Sequence, residues 1–354
     1  MVTTLIRFLV PGTSNRFRCG GLSVELQTAR LVAGICATEV VTYRQRQLDS
    51  PFLDDCLKAE KPDPSVLWIV SWGFDVPGLI RRLRGHRVAY HAHSSGYGFS
   101  LPPNVAVLAV SRNTLGYWGA RAPRNSLHLI PNALGDAWFK RGARGRTAER
   151  PIDVLVQSRK CSPYVLNQLV PALRRSGLTV EVQVGWVEDL VDLFNQSTVY
   201  IYDSADYWRS RGVSEGFGLP PLEALASGCV VFSSLNHALS DYANPGFTVH
   251  QIGCSSLLFD QQRIISAVNR PQQWSADPVV IDQLMNDCSE KILLSRWQTA
   301  LTHLDALNAL QMNGDPYLKT IPGWRLRLRD WLGRMARVVD RLPVWPASSK
   351  SKGT

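Results

Sequence analysis

Short apolar runs alternate with helix-like stretches along almost the whole chain, and this alternation restricts the fold more than any other feature. Leu5–Val10, Val66–Val70, Val88–Tyr90, Val105–Val110 and Leu127–Ile130 read as buried strands, with Leu22–Val32 as an early helix. A second set begins at Ile152–Val156 and continues through Val180–Val184, Val199–Tyr202 and Val230–Ser233. The stretches Val165–Arg175 and Trp186–Phe194 read as helices between those strands. Strands this short and this apolar, separated by helices, are the pattern of parallel βαβ units covered on both faces. Between the sets, Lys140 to Arg150 (KRGARGRTAER) is basic and almost free of apolar side chains, as expected of a linker. The expectation is therefore two doubly wound, Rossmann-like α/β domains, at 1–140 and 151–310. They are joined by a linker at 141–150 and followed by an extension at 311–354. Ligands of such sheets bind outside the carboxyl ends of the strands, so a cleft between two such domains is where chemistry is expected.

Composition narrows the classes. The chain has 354 residues, 45% of them hydrophobic and 19% charged, which gives it the material for two cores and argues against disorder. The net charge of +10 favours anionic partners. No nucleic-acid-binding motif accompanies the charge, so a nucleic-acid role is not expected. Seven cysteines are scattered without a C-x-x-C pair, which suits neither a disulfide framework nor a zinc site and fits a reducing compartment. The opening run MVTTLIRFLVPG is too short for a leader and reads as the first strand. No run approaches the roughly 18 apolar residues a membrane-spanning helix needs. A cytoplasmic location follows as an expectation, with attachment to a membrane surface left open.

Val213 to Ser227 (VSEGFGLPPLEALAS) is the segment richest in chemistry. Glu215 and Glu223 bracket Gly216-Phe217-Gly218 and a double proline, Pro220-Pro221, suited to a helix start. Glycines let backbone N–H groups approach a ligand, and a helix N-terminus favours an anion. Glu223 reads as a first-turn acid. A purely structural alternative is an acid-capped helix with a glycine-rich entry.

This segment resembles the E-x7-E signature of glycosyltransferase family 4, the group 1 transferases of GT-B fold. The resemblance is strongest over Val199 to Ser234 and extends with gaps over residues 1 to 310. It implies retaining transfer of a sugar from a nucleotide-sugar donor, with no metal or other cofactor. It also implies roles. Glu215 would bond hydroxyls of the donor sugar and Glu223 the ribose hydroxyls. The N–H groups of Phe217, Gly218 and Leu219 would contact sugar or phosphate.

Three further segments fit the resemblance. His91 and His93 follow the strand RVAY and share a face, because residues two apart in extended chain point the same way. The family places a histidine of this region against the donor sugar; His93 is the first choice and His91 the second. Read alone, the pair is also explained as partly buried structural histidines. A metal pair lacks an evident third ligand. Gly20-Gly21, between the first strand and first helix, matches the family's glycine pair near the donor phosphates; by itself it is a turn. Ser158-Arg159-Lys160 follows the first strand of the second set, where the family has Gly-Arg and a later lysine gripping the diphosphate. Arg159 matches; Ser158 replaces the glycine, and Lys160 comes earlier than the family lysine. A solvated basic turn is the plain alternative. Downstream, LNHALSDY stands where relatives carry Pro-Glu, with Asn236 and Asp241 as the nearest substitutes.

In the tail, Trp324, Leu328, Trp331, Leu332, Met335, Val339 and Leu342 fall on one helical face. Arg325, Arg327, Arg329, Arg334, Arg337 and Arg341 cover much of the rest, and Arg81, Arg82, Arg84 and Arg87 are candidates for the same basic face. Such a helix suits an anionic membrane surface, and equally a helix packed on the protein itself. The function expected is glycosyl transfer to a hydroxyl of a glycan or lipid-linked acceptor. The competing readings are a phosphorylase or epimerase on the same fold, and a catalytically degenerate GT-B protein acting as a binding partner.

Overall fold

The computed structural model describes residues 2–71, 73–144, 149–234, 236–253, 256–312 and 323–339. Strands β1 (Leu5–Val10), β2 (Ala37–Thr42), β3 (Val66–Ser71), β4 (Arg87–Ala92), β5 (Ala106–Ala109) and β6 (Leu127–Leu129) form one parallel sheet in the order β2-β1-β3-β4-β5-β6. Strands β7 (Ile152–Gln157), β8 (Val180–Gln183), β9 (Ser197–Tyr202), β10 (Val230–Ser233) and β11 (His250–Gln251) form a second parallel sheet, β11-β10-β9-β7-β8.

Both sheets are covered on both faces, and strict alternation along each strand explains how. In the first, Leu9, Val70, Tyr90 and Val107 enter one core, while Phe8, Ile69, Ala89 and Leu108 enter the other. In the second, Leu155, Tyr200 and Val231 face one core and Val154, Val199, Val230 and Phe232 the opposite one. Such two-sided burial is what makes parallel strands read as unbroken apolar runs. In each sheet the chain turns both ways from its first strand. The switch points therefore lie between β1 and β3 and between β7 and β9, where a crevice opens at the strand ends.

Two features depart from the expected division. The Asp136–Arg141 helix, ahead of the expected linker, already belongs to the second half, because Leu134 and Trp138 lie in the core with Leu155, Phe194 and Leu222. Residues 145–148 of that linker lie outside the described residues. The Glu290–Met312 helix, expected with the second domain, returns to the first: Leu293, Trp297, Ala300, Leu301 and Leu304 pack with Ile6, Phe8 and Ala29. Its Asp305 also pairs with Arg87 at 2.8 Å. Arg87 is therefore a mostly buried internal cation, not part of a basic face with Arg81, Arg82 and Arg84. β2 was not anticipated, since ATEVVT is a half-polar edge strand. The Trp186–Phe194 helix is confined to Leu190–Asn195.

The tail forms a helix over Gly323–Val339, and Trp324, Leu328, Trp331, Leu332 and Met335 on it are exposed. Arg329 Nη2 on it donates to the Arg121 carbonyl at 2.8 Å. Arg341 and Leu342, also expected on this helix, lie outside the described residues. No helix among the described residues is long and apolar enough to cross a membrane.

Candidate active site between the two sheets

The carboxyl end of β4 meets the loop that follows β9. Ser95 and Ser214 bond to each other through Oγ–Oγ at 2.7 Å, and Ser214 N–H donates to the Ser95 carbonyl at 3.0 Å. Gly216 is the tightest point: an added Cβ would stand 1.5 Å from the His93 carbonyl oxygen. The signature loop thus lies directly on the histidine segment, and only glycine permits it. On the other side, Arg112 N–H donates to Asp241 at 3.0 Å across the same junction. Asp241 is thereby a bridging acid, and Asn236 caps the turn before it by accepting from Ala238 N–H.

Gly218 stands at the N-cap of the Leu219–Ala226 helix with φ +78°, and a Cβ there would strike Leu239 Cδ2. Its left-handed turn exposes backbone donors. The N–H groups of Phe217, Gly218 and Leu219 find no acceptor among the described residues, although Phe217 and Gly218 are buried. Buried N–H groups are almost always paired, so a row of unpaired ones at a helix start is a binding surface for acceptor oxygens.

Glu223 sits one turn further in than the expected first turn, half-buried. Its carboxyl has no hydrogen-bond or ion-pair partner among the described residues, and burial pushes it up to about 7. A carboxyl kept out of water without partners lacks the hydroxyl or N–H donors that would settle its charge.

Glu215 is the opposite case. It is 6% exposed, and its two oxygens are occupied by protein. Oε2 accepts from the Tyr202 hydroxyl at 2.5 Å and Trp208 Nε1 at 2.7 Å, while Lys160 Nζ lies 3.4 Å from Oε1. Burial first, then the Glu215 charge, raises the Tyr202 phenol well above its usual range, so it stays a donor. Glu215 is thus engaged by protein, and it ties the β7 turn to the signature loop. Lys160 also stacks over the Trp208 ring at 4.4 Å. Among the described residues Lys160 is the one non-glycine with left-handed backbone, φ 69°. Such strain costs roughly 1–3 kcal/mol and persists where surrounding contacts hold it. Arg159 beside it is exposed with no partner among the described residues, a free cation at the end of β7.

His91 and His93 do share a face, but it is turned inward. Both are buried, and both reach the same oxygen of Glu25: His91 Nδ1 at 2.8 Å and His93 Nε2 at 2.9 Å. Burial lowers the His93 pKa. Burial also works against ionisation of Glu25, but the two histidines outweigh it and hold that carboxyl well below its usual range. Glu25, 0% exposed, is the residue the sequence reading missed, and it supplies the third ligating-type group thought absent: the three groups lie within 4.8 Å of one another. Gly20 and Gly21 are not a loop but the first turn of the Gly20–Val32 helix that carries Glu25. Its N-cap, Cys19 Sγ, accepts from Leu22 N–H at 3.4 Å. A groove of about 690 Å³ lies elsewhere, between β6 and the Glu290–Met312 helix, and holds none of these residues.

Solved structures share this fold. The fold is GT-B. The pneumococcal O-GlcNAc transferase GtfA, solved with UDP and GlcNAc, superposes with a TM-score of 0.52 at 14% identity over 72% of this chain. This chain spans 60% of GtfA. Sucrose-phosphate synthase from Thermosynechococcus elongatus gives 0.62 at 12% identity, over 86% of this chain and 100% of that one. HepE from Anabaena, solved with UDP and glucose, gives 0.61 at 14% identity, over 85% and 100%. No protein-family model matches the chain, and a comparison with curated proteins finds no match.

Proposed function

We propose that the chain is a retaining, metal-independent glycosyltransferase that moves a sugar from a nucleotide-sugar donor to a hydroxyl of a glycan or lipid-linked acceptor. The observation that carries this reading is the row of unpaired N–H groups at Phe217, Gly218 and Leu219, set beside an unpartnered Glu223. A nucleotide sugar offers phosphate oxygens to the first and a ribose diol to the second. Arg159, at the end of β7, is a cation available to the charge that develops on a departing diphosphate. Lys160 is already shared with Glu215, and the two act as a pair that shapes the loop. The fold relatives GtfA and HepE, each solved with UDP and a sugar, agree with a uridine-type donor. The exposed apolar and arginine faces of the Gly323–Val339 helix favour docking on an anionic membrane surface, where a lipid-linked acceptor would lie.

One observation favours the catalytically degenerate alternative: Glu215, expected on the donor sugar, already accepts two protein hydrogen bonds on Oε2 and faces Lys160 at 3.4 Å on Oε1. Incubation with UDP-, GDP- and ADP-sugars, following release of free nucleotide with and without acceptor mixtures, separates the two. Turnover of one donor supports the enzyme; binding of that donor without turnover supports the partner protein.

A further inference from the structure

Glu25 has no part in the reading above, yet this buried acid at the cleft accepts as many hydrogen bonds as Glu215. It lies on the second turn of the Gly20–Val32 helix, fully buried, and accepts three hydrogen bonds. Oε1 takes the Ser71 hydroxyl at the end of β3. Oε2 takes His91 Nδ1 and His93 Nε2. Ser71 and His91 are direct neighbours in the β3–β4 register. A carboxylate that accepts on both oxygens requires each facing ring nitrogen to carry its hydrogen. The remaining nitrogen of His91, Nε2, is buried without a partner among the described residues. As a bare nitrogen it forgoes one acceptor contact; as an N–H it would be an orphaned buried donor. Both facts select the Nδ1–H form of His91. The edge of the His91 ring stands against Trp297, centroids 5.7 Å apart, and the two imidazoles lie 4.2 Å apart. One acid thus fixes two neighbouring, mutually tilted rings, and the backbone of the second, His93, carries the carbonyl on which Gly216 rests.

We propose that Glu25 is a positioning residue for the transfer site: it fixes His91 as the Nδ1–H and His93 as the Nε2–H form, and so holds the end of β4 against the signature loop. The positioning rests on the nucleotide-sugar reading; the ring forms do not. Glu25→Gln keeps the shape: its carbonyl can accept from both rings while its N–H₂ donates to the Ser71 hydroxyl, which can also accept, so both ring forms survive; Glu25→Leu leaves all three donors without an acceptor.

The test uses the full-length protein labelled with 15N-histidine, with His91 and His93 assigned by single substitution. In the parent, Nδ1 of His91 and Nε2 of His93 carry protons; a bare nitrogen at either place overturns the proposal. In Glu25→Leu, at least one of the two resonance pairs shifts, whereas Glu25→Gln keeps the parent's forms; unchanged pairs in Glu25→Leu overturn it. With an active donor in hand, Glu25→Leu keeps the parent's nucleotide affinity but loses turnover on the order of 10²-fold, as small misplacements do, and Glu25→Gln restores it. Affinity and turnover falling together with stability would mean a merely structural acid and overturn the proposal. Should Glu25→Leu fail to fold, the parent spectrum still decides the ring forms. One equivalent of a divalent metal in the purified parent, lost in Glu25→Gln, would overturn the proposal in favour of a metal centre. If the parent binds no nucleotide sugar, the functional reading fails while the spectrum still judges Glu25.

Discussion

Two acids of one signature have opposite environments, and that difference sets opposite expectations for their substitution. Glu223 is half-buried and unpartnered, with its carboxyl raised by burial to about 7. In the unfolded chain it titrates near 4.5, so between the two values the native state holds the extra proton. Stability therefore falls as pH rises through that window and stays reduced above it. Glu223→Gln removes the penalty: its melting temperature should exceed the parent's at pH 8 and match it near pH 4.5. Equal differences at both pH values would contradict the environment described. Glu215→Ala, by contrast, strands the Tyr202 hydroxyl and Trp208 N–H in a buried site and should destabilise by roughly 1–3 kcal/mol, read by denaturant titration. The pairing of glycines and glutamates in VSEGFGLPPLEALAS made this loop legible, because few other needs ask for that combination. Glu25 was not, because its partners lie 66 and 68 positions away. One local signal existed: it shares helical spacing with Leu22, Ala29 and Val32, which puts an acid on a buried face.

Among elements, the signature helix depends on its entry. Gly216→Ala would drive a methyl into the His93 carbonyl and force β4's end and the loop apart. Nucleotide affinity should be lost while the far cores keep most of their protection in amide exchange; retained affinity would mean the contact is dispensable. The tail helix has its own test. Full-length protein should pellet with anionic vesicles at low salt and not with neutral ones, and deletion of 320–345 should reduce the pellet. Each arginine near the surface adds on the order of 1 kcal/mol, screened by salt. Identical behaviour of both forms would make it a packing element. Apolar strands such as Val66–Ser71 were legible because two-sided burial leaves unbroken hydrophobic runs. Ala37–Thr42 was not, since an edge strand buried mainly at its end gives no such run.

For the whole molecule, the alternation of apolar runs was enough to read two sheets, but not where each half ends. The boundary was not legible at Glu290–Met312 because that helix carries apolar residues for a core formed by β1, β3, β4 and β5, all far earlier in the chain. Trp297, 0% exposed, packs there against Phe8 with ring centroids 5.6 Å apart. Trp297→Ala should destabilise the first half by about 3–5 kcal/mol, visible as an earlier unfolding transition in calorimetry. A variant that melts with the parent would remove the helix from that core. The central claim, that the cleft between the sheets receives a nucleotide sugar on the loop at Phe217–Leu219 and on Glu223, is tested most directly by titration calorimetry. Parent and Glu223→Ala are titrated with the same panel of nucleotide sugars. The account predicts that the parent binds one of them and that Glu223→Ala binds it more weakly by roughly 1.5–3 kcal/mol. No binding by the parent, or equal binding by both, would contradict it.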